Sequence, residues 1–152
     1  MRHKLGLSLF IIGLCFTTLL SAANITITPN NAVHYDLQDK TTGTLDYRFT
    51  VTNNLTADLY LDNIHLQGQG SAMSFTRVDD TGTCTFGPQA VALPPKGTCI
   101  LHYTSNVPTL ISPAISYDFS NTLTINDGLG GAASISNIGV NITPSIWSSR
   151  SE

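Results

Sequence analysis

The sequence predicts an all-β protein: a sandwich of two antiparallel sheets with about seven or eight short strands and one disulfide. Three observations support this prediction. Apolar and polar residues alternate along every long periodic segment, as in strands with one buried face. Clusters of Gly, Pro, Asn and Asp separate these segments at short intervals. Two cysteines, Cys84 and Cys99, follow a segment typical of exported proteins, so they can pair in an oxidising compartment.

The first 23 residues have the pattern of a secretory signal peptide. Residues 1–4 are basic, residues 5–20 form an apolar run, and Ser21, Ala22 and Ala23 supply small residues for cleavage after Ala23. An uncleaved membrane anchor is the alternative, but the apolar run is shorter than the roughly 20 residues of a spanning helix. Cys15 follows the bulky Leu14, which disfavours lipidation, so we expect this cysteine to leave with the signal.

The remaining 129 residues are enough for one domain, which we assign to residues 24–143, with a C-terminal tail at residues 144–152. The chain has seven basic and ten acidic residues, and Arg2 and Lys4 belong to the signal, so the mature part carries a net charge of −5. An acidic chain of this kind argues against nucleic-acid binding and against electrostatic attachment to anionic lipids. No second long apolar run follows, so we expect no integral membrane segment after cleavage.

The strands can be followed in chain order. Ile25 and Ile27 alternate with threonines before Pro29. The clearest strand covers residues 45–52, and it places four apolar side chains on one face: Leu45, Tyr47, Phe49 and Val51. Next, Leu59 and Leu61 have the opposite parity to Ile64 and Leu66, which predicts a bulge or a strand end near Asp62 and Asn63.

Three further alternating segments complete the pattern. Cys99, Leu101 and Tyr103 share a face opposite Ile100 and His102. A short strand contains Leu123 and Ile125, and the last run contains Ile138, Val140 and Ile142. Four turn clusters separate the strands, at residues 53–54, 68–70, 94–97 and 127–131.

Cys84 and Cys99 are predicted to form a structural disulfide. The pair would close a loop of about 16 residues and contribute roughly 3 kcal/mol in the chain-entropy model. A metal site is an alternative, but it needs further ligands, and only His102 lies near in sequence. A redox pair is a third reading, although such pairs favour the Cys-x-x-Cys spacing.

No catalytic, cofactor-binding or metal-ligating residues are predicted. His34, His65 and His102 are far apart in sequence and are interpreted as solvated, with His65 and His102 on outward strand faces. Four aspartates could contribute oxygen ligands to calcium but lack EF-hand spacing: Asp36, Asp39, Asp79 and Asp80. The chain has no Gly-x-Ser-x-Gly elbow, and the Gly128-Leu-Gly-Gly run lacks a following helix, so neither a serine hydrolase nor a phosphate loop is indicated.

Aromatic residues offer weaker candidates. Tyr35, Tyr60 and Tyr117 are the residues that could contact a sugar. Trp147 follows the last strand and is expected to pack back onto the sandwich.

The order of motifs resembles a known family. The motifs are an Ile-Thr-Ile-Thr-Pro strand, the Phe49-Thr-Val-Thr-Asn-Asn segment, Cys84, a Leu-Pro-Pro-Lys-Gly-Thr-Cys turn ending at Cys99, and the Ile138-Gly-Val-Asn-Ile close. Over residues 25–143 this is similar to the choice-of-anchor D domains of bacterial surface and secreted proteins, and to the ASPM–SPD2–hydin modules. The resemblance implies an immunoglobulin-like β-sandwich that binds or scaffolds, and it carries over no catalytic residue.

The sequence therefore favours an exported, non-catalytic module for protein or cell-surface interaction or for structural scaffolding. It would be periplasmic or secreted, in a Gram-negative bacterium, and its protein or surface partner is unknown. Two alternatives stay open: a pilus-subunit or adhesin-type domain that is completed by a partner's strand, and a carbohydrate-binding module.

Overall fold

A computed structural model describes residues 23–68, 73–109 and 115–145. Within these ranges the chain forms eight strands and one short 3₁₀ turn. The strands are β1 (Ile25–Pro29), β2 (His34–Gln38), β3 (Thr44–Asn53), β4 (Asn63–Gly68), β5 (Phe75–Arg77), β6 (Thr98–Asn106), β7 (Tyr117–Asn126) and β8 (Ala132–Thr143), and the 3₁₀ turn is Gly87–Gln89. The expected signal peptide up to Ala22, Cys15 and Trp147 lie outside the described residues.

The strands form two four-stranded sheets. The first has the order β1-β3-β6-β5 and the second has the order β2-β8-β7-β4. With β1 and β3 to β8 read as strands A to G, these orders are ABED and CFG, the arrangement of a constant-type immunoglobulin sandwich. Strand β2 adds a fourth member beside β8, and it pairs with β8 in parallel. The expectation of purely antiparallel sheets is therefore wrong for this pair, whereas the immunoglobulin-like sandwich is confirmed.

The core lies between the sheets and is supplied by alternate residues of the longer strands. β3 and β6 pair over nine positions, with Tyr47 opposite Tyr103 and Phe49 opposite Leu101. The four residues predicted to share one face of β3 are all buried. The second sheet supplies five fully buried residues: Leu123, Ile125, Ile138, Val140 and Ile142. The period of two in the sequence thus identified the buried faces correctly.

Aromatic rings join the two sheets near the centre of the sandwich. Tyr47 meets Tyr35 edge-on at 5.4 Å between ring centroids, and it meets Phe75 at 5.5 Å. The Tyr47 hydroxyl donates a hydrogen bond of 3.0 Å to the carbonyl of Gly139 in the opposite sheet. Burial raises the pKa of Tyr47 far above its ordinary value, so the hydroxyl stays protonated and remains a donor.

The parity change near Asp62 coincides with the start of a strand. Leu59 forms only an isolated bridge to Leu93, and β4 begins at Asn63 in the second sheet. The pairing of β7 with β8 has one register shift, between Asn121 and Leu123. The sequence patterns single out neither β2 nor β5. Strand β5 is three residues long, which is too short for an alternating pattern to stand out.

Candidate interaction surface

Three connections meet at one end of the sandwich: residues 54–62 between β3 and β4, residues 78–97 between β5 and β6, and residues 127–131 between β7 and β8. The strand registers place them at the same end: the last residues of β3 lie opposite the first residue of β6, and Asn126 at the end of β7 lies opposite the first residues of β4 and β8. In an immunoglobulin sandwich such loops cluster at an end and are supported by the rigid sheets. We call the surface formed by these three connections the loop end.

Residues 58–62 form the middle of the loop end. Leu59 and Leu61 are buried, whereas Asp58, Tyr60 and Asp62 are exposed. Leu59 exchanges two backbone hydrogen bonds with Leu93, of 2.9 and 2.8 Å. This short segment is therefore held like a strand, and it presents a fixed outward row of alternate side chains.

A buried asparagine holds the connections together. Asn53 is fully buried at the end of β3, and its side-chain amide donates to the carbonyls of Ala57, Leu93 and Pro94 at 2.8–3.1 Å. Its side-chain oxygen accepts a hydrogen bond from the Leu55 backbone. The sequence around Asn53 indicates only a turn, because the remote carbonyls that this side chain binds cannot be identified from local sequence.

The predicted disulfide is present and fastens the same region. Cys84 and Cys99 are joined with an S–S distance of 2.01 Å, and their Cα atoms are 4.9 Å apart. Cys84 is buried, and Cys99 lies near the start of β6. The residues 94–97 form the predicted turn, and the Gly97 backbone donates to the Pro94 carbonyl at 2.7 Å. A Cβ atom at Gly97 would lie 2.7 Å from the Pro94 ring, so this turn requires glycine.

A buried carboxylate shapes the β7–β8 turn. The Asp127 side chain accepts backbone hydrogen bonds from Leu129 and Gly131 at 2.9 and 2.8 Å, and one from the Asn24 amide at 2.6 Å. Burial acts to raise the pKa of Asp127, but the hydrogen bonds from Leu129, Asn24 and Gly131 outweigh it and lower the pKa. An ionised carboxylate thus fixes the turn and ties it to the beginning of β1. The glycine-rich run at residues 128–131 is part of this turn.

Apolar side chains project from this rigid frame. Tyr60 is 57% exposed, Leu129 is 66% exposed and Val91 is 71% exposed. Tyr60 and Leu129 border a shallow depression of about 250 Å³. Val91 borders a second depression of about 270 Å³, and Leu61 contributes to both. Exposed apolar groups that lie together on a surface are typical of sites that contact another molecule.

A second cluster lies on the outer face of the first sheet, and it corrects one expectation. His102 points away from the core as predicted, yet it is only 6% exposed and is not solvated. Its Nδ1 lies 2.6 Å from an Asp80 oxygen, and its Nε2 lies 2.5 Å from an Asp46 oxygen. One carboxylate thus contacts each of the two ring nitrogens. The contact between His102 and Asp80 could not be predicted from sequence, because Asp80 comes from a loop whose path the strand pattern does not indicate.

Asp46 is the more heavily bonded of the two carboxylates. It also accepts hydrogen bonds from Arg48 Nε at 3.0 Å and from the Asn31 side-chain amide at 3.2 Å. Burial acts to raise the pKa of Asp46, but the hydrogen bonds from His102 and Arg48 outweigh it and lower the pKa.

The other histidines are placed differently. His65 is exposed on β4, as expected. His34 is half-buried, and its Nε2 lies 3.4 Å from an Asp118 oxygen, so it is not simply solvated.

The four aspartates considered for calcium are not brought together. Asp36 accepts a hydrogen bond from the Asn141 side chain, and Asp39 accepts one from the Ser145 backbone. Asp79 pairs with Arg77, and Asp80 pairs with His102. Within the described ranges, no three His, Cys, Asp or Glu side chains form a group suited to a metal ion.

The tyrosines considered for sugar binding differ in exposure. Tyr35 is half-buried, and its hydroxyl donates to the Asp46 carbonyl. Tyr117 is also half-buried and stacks on Phe119 at 6.1 Å. Tyr60 is therefore the member of this set whose ring is most open to a ligand.

The part of the chain that the structure describes contains no helix long and apolar enough to cross a membrane. Its strand order and disulfide define an immunoglobulin-like β-sandwich domain. The chain matches no protein-family model and no curated protein.

Several solved structures are similar to this domain. The secreted serine protease VesC from Vibrio cholerae is 17% identical, with 80% of this chain and 23% of that chain covered and a TM-score of 0.48. The periplasmic chaperone SfaE is 11% identical, with 80% and 57% covered and a TM-score of 0.42. The ASH/PapD-like domain 7 of human CEP192 is 12% identical, with 94% and 98% covered and a TM-score of 0.43. The chain thus spans less than a quarter of the VesC chain and just over half of the SfaE chain. These likenesses carry no conclusion about function.

Proposed function

We propose that this chain is an exported, non-catalytic immunoglobulin-like domain that binds a protein partner through its loop end. The observation that carries the proposal is the exposure of Tyr60, Val91 and Leu129 on a frame fastened by Asn53, Asp127 and the disulfide. A rigid surface loses less conformational entropy on binding, so ordering it costs less free energy. Exposed aromatic and aliphatic groups on such a surface are typical binding anchors.

The chemistry of the loop end supports binding rather than catalysis. Its two cysteines are bonded to each other, so neither offers a thiolate. The Asp127 carboxylate is already engaged by two backbone donors and by Asn24. His102, on the outer face of the first sheet, is likewise held between two carboxylates. Nucleophilic or general-base catalysis needs such groups to be open to a substrate.

The disulfide and the sequence of the first 23 residues support an extracytoplasmic location, periplasmic or secreted. Membership of the choice-of-anchor D family belongs to the same proposal and rests on the motif order alone. The division into a signal at residues 1–23, a domain at 24–143 and a tail at 144–152 is part of it as well.

The pilus-subunit alternative is less well supported. Such subunits are completed by a strand from a partner. Here β8 pairs with β7 along nearly all of its length, and with β2 from Gly139 to Thr143. A sheet that contains its own final strand has no need of a donated one, so we expect the domain to fold as a monomer.

Site-specific photo-crosslinking tests the proposal. A benzophenone amino acid at position 60 or 129 should give one crosslinked protein in cells of the native host, identified by mass spectrometry. The same group at Thr44, which is exposed at the opposite end of the sandwich, is the matched control. An adduct from positions 60 and 129 but not from 44 supports the proposal. An adduct from position 44 alone, or none from 60 and 129, contradicts it, and a glycan adduct from position 60 would favour the carbohydrate-binding alternative.

A further inference from the structure

The Asp46–His102–Asp80 cluster joins three separate pieces of chain across the face of the first sheet. Asp46 lies on β3, His102 on β6, and Asp80 in the connection between β5 and β6. His102 is paired with Arg48 in the β3–β6 register, and the Val78 backbone donates to the His102 carbonyl at 2.9 Å. The ring therefore links the middle of the sheet to residues 78–83 of the connection.

The two short contacts restrict the protonation state of the cluster. Each ring nitrogen lies within 2.6 Å of a carboxylate oxygen, and a carboxylate can only accept hydrogen bonds. Both nitrogens carry a hydrogen only in the imidazolium form. When the ring loses one proton, a nitrogen lone pair faces a carboxylate oxygen, and one of the two contacts is lost.

The two carboxylates are not equally dependent on His102. Asp46 keeps Arg48 and Asn31 as donors when the ring changes. Among the described residues, the hydrogen-bond donor to the Asp80 carboxylate is His102. The contact that is lost on deprotonation should therefore be the one to Asp80.

Other charged groups around the ring do not replace this contact. Arg48 on β3 binds Asp46, and Arg77 on β5 pairs with Asp79 at 3.1 Å. Arg77 also donates to the Cys84 carbonyl and stacks on the Phe86 ring at 5.2 Å. Both arginines near the cluster thus have partners of their own.

We propose that His102 is a pH-dependent clamp, which fastens residues 78–83 to the first sheet while it is an imidazolium and releases Asp80 when it loses a proton. The clamped segment leads directly to Cys84 and forms one wall of an open depression of about 500 Å³. Arg77 and Phe86 also line this depression. The pH therefore controls the shape of this depression, and Gly82 and Thr83 of the same segment also line the depression beside Val91 in the loop end.

Amide hydrogen exchange on the mature protein tests the clamp. The informative amides are Thr83, which bonds to the Asp80 carbonyl, and Ile100, which bonds to the Gly82 carbonyl. Protection factors, which remove the intrinsic pH dependence of exchange, should fall for both amides by roughly tenfold to a hundredfold between pH 5.5 and 8.5, the size expected for one charge-assisted hydrogen bond. In the same samples, ¹⁵N chemical shifts should show both His102 nitrogens protonated at the lower pH.

Two substitutions separate the clamp from a general pH effect. Asp80→Asn should abolish the change in protection, because an amide can accept from, or donate to, the ring nitrogen. Asp79→Asn removes the same charge one residue earlier and should retain the wild-type response. Equal protection at both pH values in the wild type, or a wild-type response in Asp80→Asn, overturns the proposal. A neutral His102 ring at pH 5.5 overturns it as well.

Discussion

The hydroxyl of Tyr47 donates a hydrogen bond to the carbonyl of Gly139, across the core from one sheet to the other, at 3.0 Å. Both residues are buried, so neither group can turn to water instead. Tyr47→Phe removes the donor and leaves the Gly139 carbonyl without this partner. We expect the free energy of unfolding to fall by about 1–3 kcal/mol, the cost of one unsatisfied buried polar group. Urea unfolding measures the difference, and Tyr60→Phe, at an exposed ring, should stay within about 0.5 kcal/mol of the wild type.

Phe49 and Arg48 test the two faces of β3. Phe49 is buried in the core, so Phe49→Ala should lower the free energy of unfolding by about 3–5 kcal/mol through loss of contacts and a residual cavity. Arg48 is exposed and pairs with Asp46 at 3.0 Å. Because exposed ion pairs contribute little, Arg48→Ala should cost no more than about 1 kcal/mol. Similar losses for the two variants, measured by thermal or urea unfolding, would contradict the assignment of the faces.

The disulfide is expected to stabilise the domain mainly by restricting the unfolded chain. Cys84 and Cys99 are 15 residues apart, for which the chain-entropy model gives about 3 kcal/mol. The double variant Cys84→Ser, Cys99→Ser should therefore unfold at lower urea concentration, and the wild type in reductant should approach it. If the oxidised and reduced wild-type proteins unfold at the same urea concentration, the stabilising role is wrong.

Asp127 should make the domain sensitive to acid. Its pKa is lowered in the folded state, so its contribution to stability is present above the ordinary carboxyl pKa of about 4 and is lost as the pH falls through the folded value. The stability of the wild type should consequently fall between about pH 4 and pH 2. Asp127→Asn should be less stable than the wild type at pH 6, and the difference should narrow at pH 2.

Urea unfolding across this pH range measures the effect. Asp58→Asn, at an exposed position of the same loop end, is the control and should differ from the wild type by a nearly constant amount. A difference for Asp127→Asn that stays the same from pH 6 to pH 2 would contradict the proposed role of the ionised carboxylate.

Local sequence patterns predicted those parts of the fold that depend on one strand at a time. The buried face of β3 follows from alternation alone, and the change of parity after Leu61 correctly located a strand boundary, at which β4 begins. The cysteine pair could be predicted because a chain that is expected to be exported, with two cysteines after the expected signal, has one way to pair them.

Features that depend on contacts between distant segments were not predictable in this way. Strand β2 pairs in parallel with β8 about a hundred residues later, and nothing in its own sequence indicates that partner. His102 shows the same limit, since its outward direction was right but the carboxylates that cover it come from β3 and from a loop. The frame of the loop end depends on Asn53, whose remote carbonyl partners are set by tertiary structure.

The affinity of the crosslinked partner for four variants tests the central claim most directly. Tyr60→Ala and Leu129→Ala remove exposed apolar side chains of the loop end, whereas Arg48→Ala alters the outer face of the first sheet and Lys96→Ala alters the 94–97 turn at the edge of the loop end. The melting temperature of each variant is first checked to equal that of the wild type. We then expect Tyr60→Ala to weaken binding by about 30-fold, the effect of losing a binding anchor of roughly 2 kcal/mol. Leu129→Ala should weaken it less, and Arg48→Ala should bind within about twofold of the wild type. Wild-type affinity for both Tyr60→Ala and Leu129→Ala would contradict the account, and a loss in Arg48→Ala or Lys96→Ala would then place the binding site on the sheet face or on the 94–97 turn instead of on the exposed apolar side chains.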